Sequence, residues 1–235
     1  QVFLGEGPDG ALYLADMYRR EIDHPRYVPL ESRALLDFES GKDRGRIYRI
    51  VRATPTPSAD DATYRDRRDD LTKTVRALES PDEWWRADAQ RRLVERADRA
   101  AVPLVETIAT QATRAESRTR ALWTLHGLHS LTTPTIAAAL NDPHPGVREQ
   151  ALHFAGELIA RGQGAQLLPA AIAATRDGDA RVRFCAALAL AGSRDETVVP
   201  ALAALVVRDG EDRWTRAAVL SGIAGRMDAF LAALQ

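Results

Sequence analysis

The chain has 235 residues, enough for one or two domains. Hydrophobic residues make up 45% and charged residues 28%, the balance of a soluble globular protein. The formal net charge of −1 gives no general attraction to nucleic acid or anionic membrane, and the single Cys185 excludes an internal disulfide framework or a Cys-cluster metal site.

Three strands are expected in residues 1–52. Gln1-Val2-Phe3-Leu4 is the first. Gly5-Glu6-Gly7-Pro8-Asp9-Gly10 follows, dense in residues that preset φ or accept φ > 0, and reads as a turn. Ala11–Asp16 is the second strand and Arg46–Val51 the third, with Ile47 and Arg49 on one face and Tyr48 and Ile50 on the other. The excursion Met17–Arg44 carries His24-Pro25-Arg26-Tyr27 and a short helix near Glu31–Leu36. Three strands with so long a loop bury no core of their own and call for neighbouring strands. Residues 53–70, with Pro55, Pro57 and the run Arg65–Asp70, read as a linker.

From residue 71 to 235 the pattern changes to paired amphipathic helices. The expected pairs are Leu71–Leu78 with Trp84–Arg96, Val102–Gln111 with Ser117–Leu128, Thr135–Leu140 with Gly146–Ala160, Leu167–Thr175 with Ala180–Ala191, and Val198–Val207 with Arg213–Ala224. Asp228–Leu234 starts a sixth unit. Each second helix opens on an apolar or small residue, Arg, two variable residues and Ala: Trp85-Arg86 with Ala89, Ser117-Arg118 with Ala121, Val147-Arg148 with Ala151, Val182-Arg183 with Ala186. The fifth copy reads as degenerate, with Thr215 in the Arg place before Ala218, so the spacings are 32, 30, 35 and 32 residues. That period suits a two-helix, HEAT-like solenoid. Ser80-Pro81-Asp82, Asp142-Pro143, Asp177-Gly178-Asp179 and Asp209-Gly210 read as helix stops followed by acidic N-caps. The Ala lets helices approach closely, and the Arg is expected to reach a carboxylate or helix-end carbonyl of the next unit.

Gly7-Pro8-Asp9-Gly10-Ala11-Leu12-Tyr13-Leu14-Ala15-Asp16 resembles the blade motif of six-bladed propellers of the soluble glucose/sorbosone dehydrogenase type. With Tyr18, Ile22-Asp23-His24-Pro25-Arg26 and Asp43-Arg44-Gly45-Arg46-Ile47-Tyr48-Arg49, the resemblance narrows to the propeller end of the membrane-bound dehydrogenases common in planctomycetes and their relatives. In that family HEAT-like repeats and then a c-type cytochrome domain follow the propeller. The resemblance implies that residues 1–52 are a terminal blade fragment and that the chain is part of a larger enzyme. It further implies oxidation of a sugar or alcohol with pyrroloquinoline quinone and calcium, electron transfer to haem c, and a periplasmic or cell-envelope location. The partners it implies are the rest of the polypeptide, namely the propeller and the cytochrome domain.

Candidate site residues each have a plainer alternative. His24 and Arg26 sit in a loop of the enzyme-like half, where functional residues concentrate, but a structural clasp of that loop is the ordinary reading. Asp16, as a cation or cofactor ligand, competes with a turn cap; Arg44 and Arg46, facing an anionic ligand, compete with pairing to Asp43 or Glu39. His126 and His129 share a helix face, yet nothing nearby in sequence completes a metal site, so no metal is expected. Trp84 and Trp85 could stack on a ligand, but Trp85 holds a core place of the repeat, and Trp123 and Trp214 read the same way. Cys185 reads as a buried, inert thiol.

There is no haem-attachment Cys-x-x-Cys-His, phosphate-binding glycine loop or nucleophile elbow, and no stretch of ~18 apolar residues to span a membrane. A signal peptide is not expected within these residues. The chain alone is therefore expected to be non-catalytic, its solenoid acting as spacer or scaffold. The alternative is a non-enzymatic HEAT-repeat scaffold that binds a protein on its concave face. Nucleic-acid binding is disfavoured by the balanced charge.

Overall fold

The computed structural model describes residues 3–51, residue 53 and residues 70–235. Gln1 and Val2 of the first expected strand lie outside them, as does the expected linker apart from Ala53 and Asp70.

Strands β1 (Phe3–Glu6), β2 (Leu12–Asp16) and β3 (Arg46–Ile50) form an antiparallel sheet in the order β1-β2-β3. Phe3 lies opposite Ala15 and Glu6 opposite Leu12; Leu12 in turn faces Ile50, and Asp16 faces Arg46. The first turn is built around Asp9. One of its carboxylate oxygens accepts the Ala11 N–H at 3.1 Å, and the other accepts the Tyr13 hydroxyl at 3.0 Å and the Arg49 guanidinium at 2.7 Å. Because Tyr13 and Arg49 are paired across the sheet, one carboxylate ties the turn to two strands. Gly10, at φ +70°, supplies the left-handed residue the turn requires.

Among the described residues the three strands bury no apolar side chain. Phe3 is 66% exposed and Ile47 73%, and Leu4, Tyr48 and Ile50 are also exposed. The end of β1 approaches the solenoid. Burial first, then the nearby carboxylates of Asp82 and Glu83, push the Glu6 carboxyl above its usual range, against the opposing pull of Arg86. A short helix, α1 (Leu30–Arg33), stands near the predicted place in the excursion.

The predicted helix pairs are present. Helix α2 (Leu71–Arg76), extended by a 3-10 turn to Glu79, pairs with α3 (Glu83–Glu95). The following pairs are α4 (Val102–Gln111) with α5 (Ala115–Gly127), and α6 (Thr133–Ala139) with α7 (Pro145–Ala160). Then come α8 (Leu168–Ala174) with α9 (Ala180–Ala191), α10 (Val198–Asp209) with α11 (Arg213–Gly222), and lastly α12 (Met227–Ala233). The second helices stack in series, α5 on α7, α7 on α9 and α9 on α11. Leu122, Leu125, Val147, Leu152, Val182 and Leu190 are fully buried along the series. Ala121, Ala151 and Ala186 are buried as well, where a larger side chain would force the helices apart. Gly156 of α7 marks a close approach: a Cβ there would stand 2.9 Å from the Cα of Ala189 on α9.

The repeat arginines form a ladder. Arg118 grips both carboxylate oxygens of Asp142, at 2.6 and 2.7 Å, in the next unit. Arg148 grips Asp177 in the same way at 2.8 and 2.8 Å, and Arg183 grips Asp209 at 2.5 and 3.0 Å. Each arginine also donates to two carbonyls of its own inter-helix turn: Ala112 and Thr113, Asp142 and Pro143, Asp177 and Gly178. The expected reach to a carboxylate of the next unit is therefore met, while the carbonyls belong to the same unit. Arg86 has the carbonyl contacts, to Ser80 and Pro81, but turns to Glu83 of its own helix. At the corresponding place in the next turn stands Ala112, which carries no carboxylate.

Two sequence expectations change. Acidic caps stand as expected at Asp82 and Asp179, but the cap after Asp142-Pro143 is His144, and Asp142 and Asp177 themselves serve as ladder acceptors. The fifth copy is also not degenerate. Its cap is Asp212, and Arg216, four residues later, donates to the carbonyls of Gly210 and Glu211 as its predecessors do. The Arg place is therefore Arg216, not Thr215. Thr215 fills the preceding core place, its hydroxyl held by Asp212, and Val219 takes the Ala place.

Arg148→Gln should lower unfolding stability by about 3 kcal/mol, the scale for removing one partner of a largely buried ion pair, read as a shifted denaturant midpoint. The ladder also fixes the direction of acid sensitivity. Arg148 first, with the Asp179 N–H, holds the Asp177 carboxyl below its ordinary value; burial would raise that of Asp142, but Arg118 and the His144 N–H outweigh it. Stability should be full above about pH 4, the unfolded carboxylate value, and drain as pH falls through the lower folded values. A melting temperature that stays level from pH 5 down to pH 2 would contradict this. By contrast, Ser117→Ala should leave the midpoint unchanged or raise it, because the Ser117 hydroxyl is fully buried with no hydrogen-bond partner among the described residues.

Candidate functional site

The candidates Asp16 and Arg44 meet in one place. The excursion leaves β2 at Asp16 and returns through residues 39–45, and the two ends enclose a polar cavity of about 510 Å³. Asp16, Tyr18, Arg19, Ser40, Asp43 and Arg44 are among its walls. An Asp16 oxygen accepts the Tyr18 N–H at 3.0 Å, and that bond, with Arg46 nearby, keeps the carboxyl below its usual range. Arg19 donates to the carbonyl of Phe38 at 3.0 Å and so ties the outgoing strand to the return. Gly41 presses its backbone on the Tyr18 carbonyl: at φ +79°, any Cβ would fall 1.8 Å from that oxygen. Sequence reading missed both Arg19 and Gly41; a glycine in a charged turn was the only available signal.

The pairings expected for Arg44 and Arg46 do not form. Glu39 is taken by Lys42 at 2.5 Å. Arg46 lies opposite Asp16 in the sheet and spreads over the Tyr18 ring, 4.4 Å from its centroid. Among the described residues Arg44 makes no ion pair and is left on the cavity wall.

His24 and Arg26 lie away from that cavity wall. The His24 Nδ1 accepts the Arg26 N–H at 3.1 Å and caps the 3-10 turn Pro25–Tyr27. The Arg26 carbonyl accepts from Arg33, which also donates to Val28 at 2.8 Å. The structure thus brings Asp16 and Arg44 together and sets His24 and Arg26 in a separate, exposed loop.

In the solenoid, His126 does not combine with His129. His129 follows the helix at φ +53°, while His126 stands 3.5 Å from Glu157, which also faces His153 at 3.3 Å and Arg161 at 3.5 Å. Trp85 is buried, with Trp84 edge-on at 4.7 Å. Trp123 packs on Phe154 at 4.7 Å and donates to Gln150 at 3.0 Å. Trp214 corrects its expectation: it is 60% exposed. Once Arg216 takes the Arg place, Trp214 falls one position outside the core stripe. The Arg213 guanidinium covers one ring face, 4.4 Å from the centroid. Trp214 and the half-buried Cys185 line a second cavity, of about 760 Å³, between the openings of α9 and α11. Burial there, with a smaller push from Glu149, raises the Cys185 thiol to about 11.

A family model for HEAT repeats matches residues 132–224, and one described as a domain of unknown function (DUF7133) matches residues 2–54. No curated protein matches the chain. The HEAT match spans α6 to α11 and holds Asp142, Arg148, Asp177, Arg183 and Asp209 of the ladder, together with Arg216. The other match holds the sheet and the Asp16–Arg44 cavity.

The raised thiol value predicts slow chemistry at Cys185. Thiolate is the reacting form, so iodoacetamide at about pH 8 should alkylate the folded chain roughly 100-fold more slowly than the unfolded chain. The rate should climb about tenfold per pH unit toward pH 11. A folded rate within threefold of the unfolded one would contradict the burial argument.

Proposed function

We propose that the repeat half is a stiff spacer and scaffold, holding the β domain to which the three-stranded sheet belongs at a fixed distance and angle from a further domain or a protein partner. The observation that carries this reading is the ladder. Three successive bidentate Arg–Asp pairs couple the second repeat to the third, the third to the fourth and the fourth to the fifth, so bending one of these joints must break a largely buried ion pair. A solenoid with such joints suits a mechanical role more than a hinge.

The finer reading is a quinone-dependent sugar or alcohol dehydrogenase, in which the spacer separates a propeller from a c-type cytochrome domain. Two things support it: the resemblance carried by Gly7–Asp16 and Asp43–Arg49, and a sheet whose apolar side chains lie bare on both faces, as suits a piece of a larger β structure. In this reading pyrroloquinoline quinone, calcium and haem c belong to the intact enzyme. The partners are its own propeller and cytochrome domains, and the setting is the periplasm or cell envelope. Among the described residues no helix is long and apolar enough to cross a membrane. The scaffold reading without an enzyme keeps the same mechanics and places a protein partner on the concave face.

Two measurements test the proposal. Residues 71–235, expressed alone, should give a strongly helical spectrum, one cooperative melt and small-angle scattering that a single rigid shape fits. A disordered spectrum, or scattering that requires a broad ensemble, would sink the spacer reading. The full chain, given pyrroloquinoline quinone, calcium, an artificial electron acceptor and a panel of sugars and alcohols, should show no turnover above a no-protein control. Turnover lost on His24→Ala would move an active site into the excursion after Asp16.

A further inference from the structure

We infer that the cavity between α9 and α11 is a binding site for an organic ammonium with a flat, apolar body, a site distinct from the spacer role. Its volume, about 760 Å³, is that of a small-molecule site, and its wall combines the Phe184 and Trp214 rings with the Cys185 thiol. A tryptophan 60% exposed on a solenoid surface gives up little packing. Trp85, in the first unit, shows what a structural tryptophan does here, at 6% exposure.

Most charged groups in the wall have partners. Glu149 holds Arg181 at 3.0 Å, Asp209 holds Arg183, and Asp212 accepts the Thr215 N–H and hydroxyl. Arg208 leans on Asp209 at 3.6 Å. The Glu211 carboxylate has neither an ion pair nor a hydrogen bond among the described residues. What the cavity offers a ligand is therefore two aromatic rings in its wall and the Glu211 carboxylate without a partner among the described residues, and a cation on an apolar stem satisfies both. Arg213 already shows the affinity of the Trp214 ring for a cation. Trp214 lines the cavity and Arg213 does not.

The chemistry is shared by a free arylalkyl amine and by a lysine side chain beside an aromatic residue in a protein. The full chain is titrated calorimetrically with three probes of one shape: phenethylamine, phenethyl alcohol and hydrocinnamate. The amine should bind at least tenfold more tightly than the neutral and anionic probes. Glu211→Gln should erase that preference, and Trp214→Ala should weaken amine binding at least tenfold. Both side chains are exposed, so unchanged melting curves will show that the variants fold. No binding, equal binding of the three probes, or a preference that survives Glu211→Gln overturns the inference. An acetyl-Phe-Lys-amide arm assigns the source: tighter binding than phenethylamine points to a protein side chain, weaker binding to a free amine, and either upholds the site.

Discussion

The solenoid depends on one repeated interaction, a guanidinium that serves two masters. Each ladder arginine spends its Nε and one Nη on the carboxylate of the next unit and its other Nη on two carbonyls of its own turn. The turn carbonyls would otherwise be orphaned at the end of a helix, and the carboxylate would otherwise be charged and half-desolvated. One planar, five-donor side chain meets both needs at once, which a lysine cannot do. Asp142 and Asp177 also accept a backbone N–H two residues on, so the acid shapes the turn that presents the next arginine's carbonyl targets. Turn, cap and inter-repeat bond are one connected unit, copied along the stack.

The β half has the opposite character. It is held by local polar bonds, Asp9 to Tyr13 and Arg49, Arg19 to Phe38, and Arg33 to Val28, rather than by burial. Those bonds shape a hairpin and an excursion but leave apolar side chains uncovered, so the sheet is organised without being self-sufficient. The Glu6 end of β1 lies near the start of α3, beside Asp82 and Glu83.

Much of this was legible beforehand. The helix pairs were found within a few residues because apolar spacing and turn formers recur together. The three strands followed from the turn formers Gly7-Pro8-Asp9-Gly10 and from alternation in residues 46–50; their pairing came from the structure. The fifth repeat was misread because Thr215 and Ala218 imitate the Arg-x-x-Ala phrase one residue early; the cap at Asp212 decides the register, and a cap is a backbone event. That one-residue slip also misplaced Trp214. The roles of Asp142 and Asp177 were hidden for a related reason: an aspartate before a helix looks like a cap unless its partner, some 24 to 29 residues away in the preceding unit, is known.

The sequence by itself determined the two-part organisation, the solenoid period and the reach of the repeat arginines toward the next unit, because periodicity and donor chemistry are local properties. Tertiary structure alone decided that Asp16 and Arg44 share a cavity while His24 and Arg26 do not. It alone left Arg44 and Glu211 uncommitted and put Trp214 at the surface. Which charge is spent, and which ring is covered, depends on side chains brought together from distant positions, and only the packed chain sets those distances.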